Sequence, residues 1–109
     1  MEISYANRAL ETVCTDARKA KKQLGGKGFE KLKRRLADCR AAANARSLVA
    51  GRPHPLKGDR AGQFAVDLEG GLRLVFEPAN NPVPKDLNGA MAWDHVTAIR
   101  IVFIGDYHD

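Results

Sequence analysis

The chain has 109 residues, of which 44% are hydrophobic and 28% charged, a balance that fits one globular domain, 1–109, and excludes wholesale disorder. No apolar run approaches the ~20 residues of a membrane span, and the opening MEISYANRAL lacks the apolar stretch of a signal peptide, so no membrane partner and a cytoplasmic location are expected. The net charge of +5 divides into +9 over residues 1–60 and −4 over residues 61–109; an anionic partner would therefore meet the first half, unless that half is only a solvated helical face.

In chain order, Glu2 to Tyr5 alternates weakly and predicts a short edge strand. Leu10, Val13, Cys14, Ala17, Ala20 and Leu24 recur at spacings of three and four, which places them on one face of a helix. Ser4 or Asn7 can cap its start, Gly25-Gly26 ends it, and Thr15-Asp16 is a further capping signal that can split it in two. A second helix is expected from Lys27 to Ala43, with Phe29, Leu32, Leu36 and Cys39 on its apolar stripe and cations around the rest. Two antiparallel helices joined at the Gly-Gly turn make a helical hairpin. GRPHPLKGDR, residues 51–60, cannot be regular throughout.

The period then changes to two. Phe64 to Leu68 and Leu72 to Phe76 alternate about a Glu69-Gly70-Gly71 turn, which predicts a β-hairpin. Residues 78–89, PANNPVPKDLNG, read as a turn-rich excursion too polar for core. Val96 to Ile104 is apolar on both faces and suits a central strand. Helices followed by strands predict an α+β fold: an N-terminal helical hairpin packed on one side of an antiparallel sheet.

Of the three histidines, His95 beside Asp94 reads as an exposed loop residue. His54 stands with Lys57 and Arg60 before the first long strand, and His108 stands with Asp106 and Tyr107 at the exit of the last. The two groups converge if the last strand runs antiparallel to the strand that follows the His54 loop. Such a site would hold two imidazoles, a phenol, a carboxylate and fixed cations. That inventory fits cleavage of RNA through its own 2′-hydroxyl, which needs a base, an acid and positive charge at phosphorus, and it implies no metal and no cofactor. Arg73 sits on the strand face opposite Leu72, Leu74 and Phe76, so its spacing alone reads as an arginine on the solvent side of a sheet. Trp93 reads as a core or lid residue, and Cys14 and Cys39 as small core groups. Lys21, Lys22, Lys31, Arg34 and Arg35 fall on the helical hairpin away from its apolar stripes, where they can meet RNA phosphates.

The runs HPLKGDR, GQFAVDL, LRLVFEP and IRIVFIGDYHD together resemble the HigB toxins of the RelE/ParE superfamily, the toxins of type II toxin–antitoxin systems, over nearly the whole chain. The resemblance implies two helices against a curved antiparallel sheet, cleavage of mRNA in the ribosomal A site, and silencing by a HigA-like helix-turn-helix antitoxin, through which alone operator DNA would be bound. It matches His54 to the family's catalytic histidine and Arg73 to its phosphate-contacting arginine. It matches Asp106, Tyr107 and His108 to the C-terminal catalytic cluster and Lys57 to a basic contact, without dividing acid from base. The segment 78–93 is longer than a minimal member needs. Two other readings stand beside this one: a gyrase poison of the ParE branch on the same scaffold, and a noncatalytic nucleic-acid-binding module whose basic helices contact phosphate.

Overall fold

A computed structural model describes residues 1–107 of the chain. The first strand, β1 (Glu2–Tyr5), leads into α1 (Arg8–Thr15), whose start is capped by Asn7: its Oδ1 accepts the Leu10 N–H at 2.9 Å. Asp16 is extended, so it ends α1, and its carboxylate then accepts the N–H groups of Arg18 and Lys19 at 3.0 and 3.2 Å to start α2 (Ala17–Ala41). The capping signal at Thr15-Asp16 thus divides the first helical stretch. Replacing this cap by Asp16→Ala is expected to cost about 0.5–2 kcal/mol. A urea melt checks this: the midpoint should fall with an unchanged slope, and an unmoved midpoint would contradict the cap.

Gly25 interrupts α2 at φ +78, a conformation that residues with a Cβ rarely adopt, and the chain doubles back there. The Lys21 ammonium lies 5.1 Å from the centre of the Phe29 ring, whereas Cys14, farther from the turn, falls beside Arg40. Partners that separate in opposite directions from Gly25 define an antiparallel helical hairpin, as the Gly-Gly signal predicts. The second limb closes at Ala41, short of the expected Ala43, because Ala42 turns extended. No helix among the described residues is long and apolar enough to cross a membrane.

The remaining strands are β2 (His54–Pro55), β3 (Phe64–Asp67), β4 (Arg73–Pro78) and β5 (Ala98–Gly105), in the sheet order β1-β5-β4-β3-β2. The sheet is mixed rather than wholly antiparallel, which corrects the expectation. β1 pairs parallel with β5, Ile3 opposite Ile99 and Tyr5 opposite Ile101, because the long connection between them carries the helical hairpin across one face. β5 is internal, between β1 and β4, as its two-sided apolar sequence requires. Its register against β4 slips between Val75 and Phe76, so that Ile101 and Ile104 both reach the helical side while Phe103 turns to the other.

Val13, Ala20, Leu32, Leu36 and Cys39 from the helices meet Phe64, Val66, Leu74, Phe76, Ile99 and Ile101 from the sheet in one core. Trp93 belongs to it, its ring 4.9 Å from that of Phe64. Pro78 corrects the reading of its segment: it closes β4 opposite Ile99 and is buried, so the excursion begins after it. That excursion is folded back on itself by the Lys85–Met91 bridge and by Asp86, whose carboxylate accepts the N–H groups of Asn88 and Ala90.

Burial pushes the thiols of Cys14 and Cys39 up from 9.0 to about 11. A raised value favours the neutral thiol in the fold, so this contribution to stability is complete below pH 9 and is lost as pH rises through 11. Both cysteines should resist iodoacetamide at pH 8 while the unfolded chain reacts readily, since the thiolate is the nucleophile. Equal rates by mass spectrometry would contradict their burial.

Candidate active site

The face of the sheet turned away from the helices carries the candidate residues. Register alone sets its rows. His54 lies opposite Ala65, Ala65 opposite Val75 and Val75 opposite Phe103, which places the four in one row across β2, β3, β4 and β5. The adjoining row holds Asp67, Arg73 and Gly105. Ala65 and Val75 are wholly buried, so the middle of the row is covered, and only its ends, His54 on β2 and Phe103 on β5, are partly exposed.

The His54 loop and the C-terminal end do approach each other, by a route other than the one expected. β5 runs antiparallel to β4 and hence parallel to β3, not antiparallel to it. Convergence arises because β2 turns back along β3, which carries Arg52 toward Asp67 and the end of β5. Arg60, from the 3₁₀ turn Gly58–Arg60, closes the gap: its guanidinium stacks 4.6 Å from the Phe103 ring and 4.7 Å from the Tyr107 ring. Those two rings meet edge to face at 5.9 Å, and Gln63 steadies Arg60 by accepting its Nη1–H at 3.1 Å. Asp106 lies against the β3–β4 turn, where a Cβ built on Gly71 would come within 2.5 Å of its Oδ2.

Arg73 is half-buried on this face, as the alternation of its strand requires, and is held rather than freely solvated. Its Nε lies 2.9 Å from Asp67 Oδ1, and its Nη1 donates to the carbonyls of Leu72 and Gly70. The other oxygen of Asp67 accepts Arg52 Nε–H at 3.1 Å. This bond pushes the Arg52 guanidinium above its ordinary value, with Tyr107 adding in the same direction. His54 Nδ1 lies 2.8 Å from the Arg52 carbonyl oxygen. A carbonyl only accepts, so Nδ1 carries the proton and the lone pair of a neutral His54 resides on Nε2.

Arg52, Asp67 and Phe103 are the site residues that the sequence reading misses. Asp67 had a signal: alternation about the Glu69-Gly70-Gly71 turn puts it directly across from Arg73, an opposite charge on the same face. Arg52 had none, since nothing in GRPHP fixes where its side chain goes. His108 lies outside the described residues.

The cations expected on the helices separate. Lys21, Lys22 and Arg34 are exposed and Lys31 is half-buried; Lys57 is exposed in the loop beside His54. Arg35 departs from the expected solvated face. Its side chain is only 11% exposed, pairs with Asp38 and passes close to Gly51, so it braces α2 against the loop that leads to the site. Among the described residues no group of three His, Cys, Asp or Glu side chains gathers as metal ligands do.

Neither a protein-family model nor a curated protein matches the sequence. Solved structures do. The YoeB/ParE toxin from Agrobacterium tumefaciens superposes with a TM-score of 0.62 at 14% identity, over 99% of this chain and 100% of the other. The YoeB–YefM complex from Staphylococcus aureus gives 0.61 at 20% identity, over 100% of this chain and 98% of the matched one. The fold is that of the YoeB/ParE-type toxins. A heterotetrameric YoeB–YefM toxin–antitoxin complex from Staphylococcus aureus agrees, with a TM-score of 0.57 at 21% identity over 100% and 98% of the two chains. Sequence identity this low makes the likeness to the YoeB/ParE toxins one of fold, and the chemistry is argued from this chain's own side chains.

Proposed function

We propose that this chain is the toxin of a type II toxin–antitoxin pair, a HigB-like endoribonuclease that cuts mRNA on the ribosome in the cytoplasm. The observation that carries the reading is the placement, on the sheet face turned away from the helices, of an imidazole with a directed lone pair and the guanidinium groups of Arg73 and Arg60. His54 Nε2 accepts the proton of a 2′-hydroxyl; the 2′-oxygen bonds to phosphorus as the bond to the 5′-oxygen breaks. The products are a 2′,3′-cyclic phosphate and a 5′-hydroxyl, and the proton for the leaving oxygen comes from the Asp106–His108 end. Arg73 and Arg60 set positive charge beside the phosphoryl oxygens as they gain negative charge. The nucleophile belongs to the RNA itself, so the step asks for no metal, and protein stripped with EDTA and then freed of the chelator should cleave on ribosomes as fast as before.

Among the described residues no uncovered aromatic platform for reading free bases stands on the sheet: Phe103 and Tyr107 are capped by Arg60. The ribosome therefore presents the message. Lys21, Lys22, Lys31 and Arg34, with Lys57 near the site, supply contacts to RNA phosphate that position without reading sequence. The toxin–antitoxin complexes among the solved neighbours support a protein antitoxin as the second partner, which we place in the helix-turn-helix class.

Mapping RNA 5′ ends after brief induction without any antitoxin tests the function. New ends inside translated codons are expected. Intact mRNA together with gyrase-linked DNA breaks would replace this reading with that of a gyrase poison. Normal growth with intact RNA and DNA would reject the toxin altogether.

A further inference from the structure

We infer that Asp67 is a positioning residue that sets the tautomer of His54, acting through Arg52; the inference rests on the proposed role of His54 as base. Arg52 has φ +49, a left-handed conformation that few residues other than glycine adopt. β3 holds it there by two grips from one residue. The Asp67 N–H donates to the Gly51 carbonyl at 2.7 Å, and the Asp67 carboxylate accepts from Arg52 Nε at 3.1 Å and Nη2 at 3.5 Å. Gly51 itself, at φ +84, is pressed so close to β3 that a Cβ would stand 2.6 Å from Val66 Cγ1 and 3.0 Å from the Asp67 carbonyl oxygen.

The consequence reaches His54. With the turn reversed in this way the Arg52 carbonyl points at His54 Nδ1, and the proton is drawn to that nitrogen. A free neutral imidazole in water favours the other tautomer, with the proton on Nε2 and the lone pair on Nδ1. Left to itself, His54 would offer its lone pair to its own backbone rather than to a substrate. The Arg52 side chain is 66% exposed, and an ion pair of that kind adds little to stability. What the pair contributes is the direction of one carbonyl. The same carboxylate sits 2.9 Å from Arg73 Nε, so one residue orients both the base and the phosphate-facing guanidinium.

Two variants separate these effects. Asp67→Ala takes the carboxylate from Arg52 and Arg73 and keeps the backbone N–H bond to Gly51; Arg52→Ala removes the side-chain grip from a left-handed turn that alanine disfavours, so that the turn relaxes, and leaves the Asp67–Arg73 pair in place. Nitrogen-15 NMR of the histidines, recorded where the imidazoles are neutral and assigned with His54→Ala, reads the tautomer without reference to activity. In the unaltered protein the His54 proton is expected on Nδ1, and in both variants the equilibrium should move toward Nε2–H with the far-ultraviolet circular dichroism unchanged. Ribosome-dependent cleavage by Arg52→Ala should lose on the order of 10²-fold in kcat, as for a misplaced catalytic group, with KM unmoved. A proton on Nε2 in the unaltered protein, or a tautomer unmoved in both variants, would overturn the inference. If the unaltered protein leaves RNA intact, the proposed function fails, and the NMR result still decides what Asp67 does.

Discussion

His54→Ala should lower RNA cleavage by ~10²–10⁴-fold, the range for loss of one general acid–base group, and Arg73→Ala by ~10²–10³-fold, the range for loss of one donor to a developing oxyanion; both should relieve growth inhibition. Neither residue is part of the core: His54 stands at the sheet edge, and Arg73 faces away from the helices. The Arg73–Asp67 pair is partly exposed, 23% and 27% for its two side chains. Pairs of this kind contribute roughly 0–1 kcal/mol, so the melting temperature of Arg73→Ala should stay within a few degrees of the parent. The measurement is cleavage rate beside a thermal melt. Unimpaired killing by the His54→Ala, Arg73→Ala double variant would refute the assignment, and so would loss of activity that merely follows loss of fold.

Phe76→Ala should do the reverse, lowering stability sharply through a residue on the face opposite the site. Phe76 is wholly buried, and its ring stacks on Phe64 with centroids 5.2 Å apart and planes at 19°. Phe64 in turn leans on Trp93. Deleting the ring removes its burial and leaves a cavity between sheet and helices, at a cost of ~3–5 kcal/mol. A domain of this size has roughly 5–15 kcal/mol in total, and each kcal/mol lowers the melting temperature by about 4 °C or more. Differential scanning calorimetry should therefore show a fall of at least ~12 °C. A shift under ~4 °C would mean that the three-ring stack does not hold the core together.

The contrast between these two variants follows from what the sequence shows and what it does not. Periodicity places Leu32, Leu36, Phe64 and Phe76 in the core because each position repeats a local rule, at 3.6 or at 2 residues. Caps and glycines are equally local, so Asn7, Asp16 and Gly25 can be found by inspection. Strand order and direction are not local. The parallel pairing of β1 with β5 joins residues almost a whole chain apart, and no spacing within either strand announces it. The same holds for the site. Its residue types are visible in HPLKGDR and at Asp106-Tyr107, but the route that brings Arg60 to Tyr107 and Arg52 to Asp67 depends on β2 turning back along β3. The placement of Arg35 depends on what it packs beside: Asp38 on its own helix and the Gly51 loop, which a helical wheel cannot show.

Arg52 and Asp67 mark the limit in physical terms. In the roles proposed, Arg52 is held by its side chain so that its carbonyl faces His54, and Asp67 acts on His54 through that carbonyl. Neither role belongs to a residue type at a spacing, so a motif search has nothing to find.

The most direct test of the central claim is cleavage of a single message by the purified protein, with and without translating ribosomes. The account predicts cuts within codons, ending in a 2′,3′-cyclic phosphate and a 5′-hydroxyl, with ribosomes present and not on naked RNA. Equal cleavage of naked RNA would contradict the dependence on the ribosome, and a message left intact on translating ribosomes would contradict the account itself.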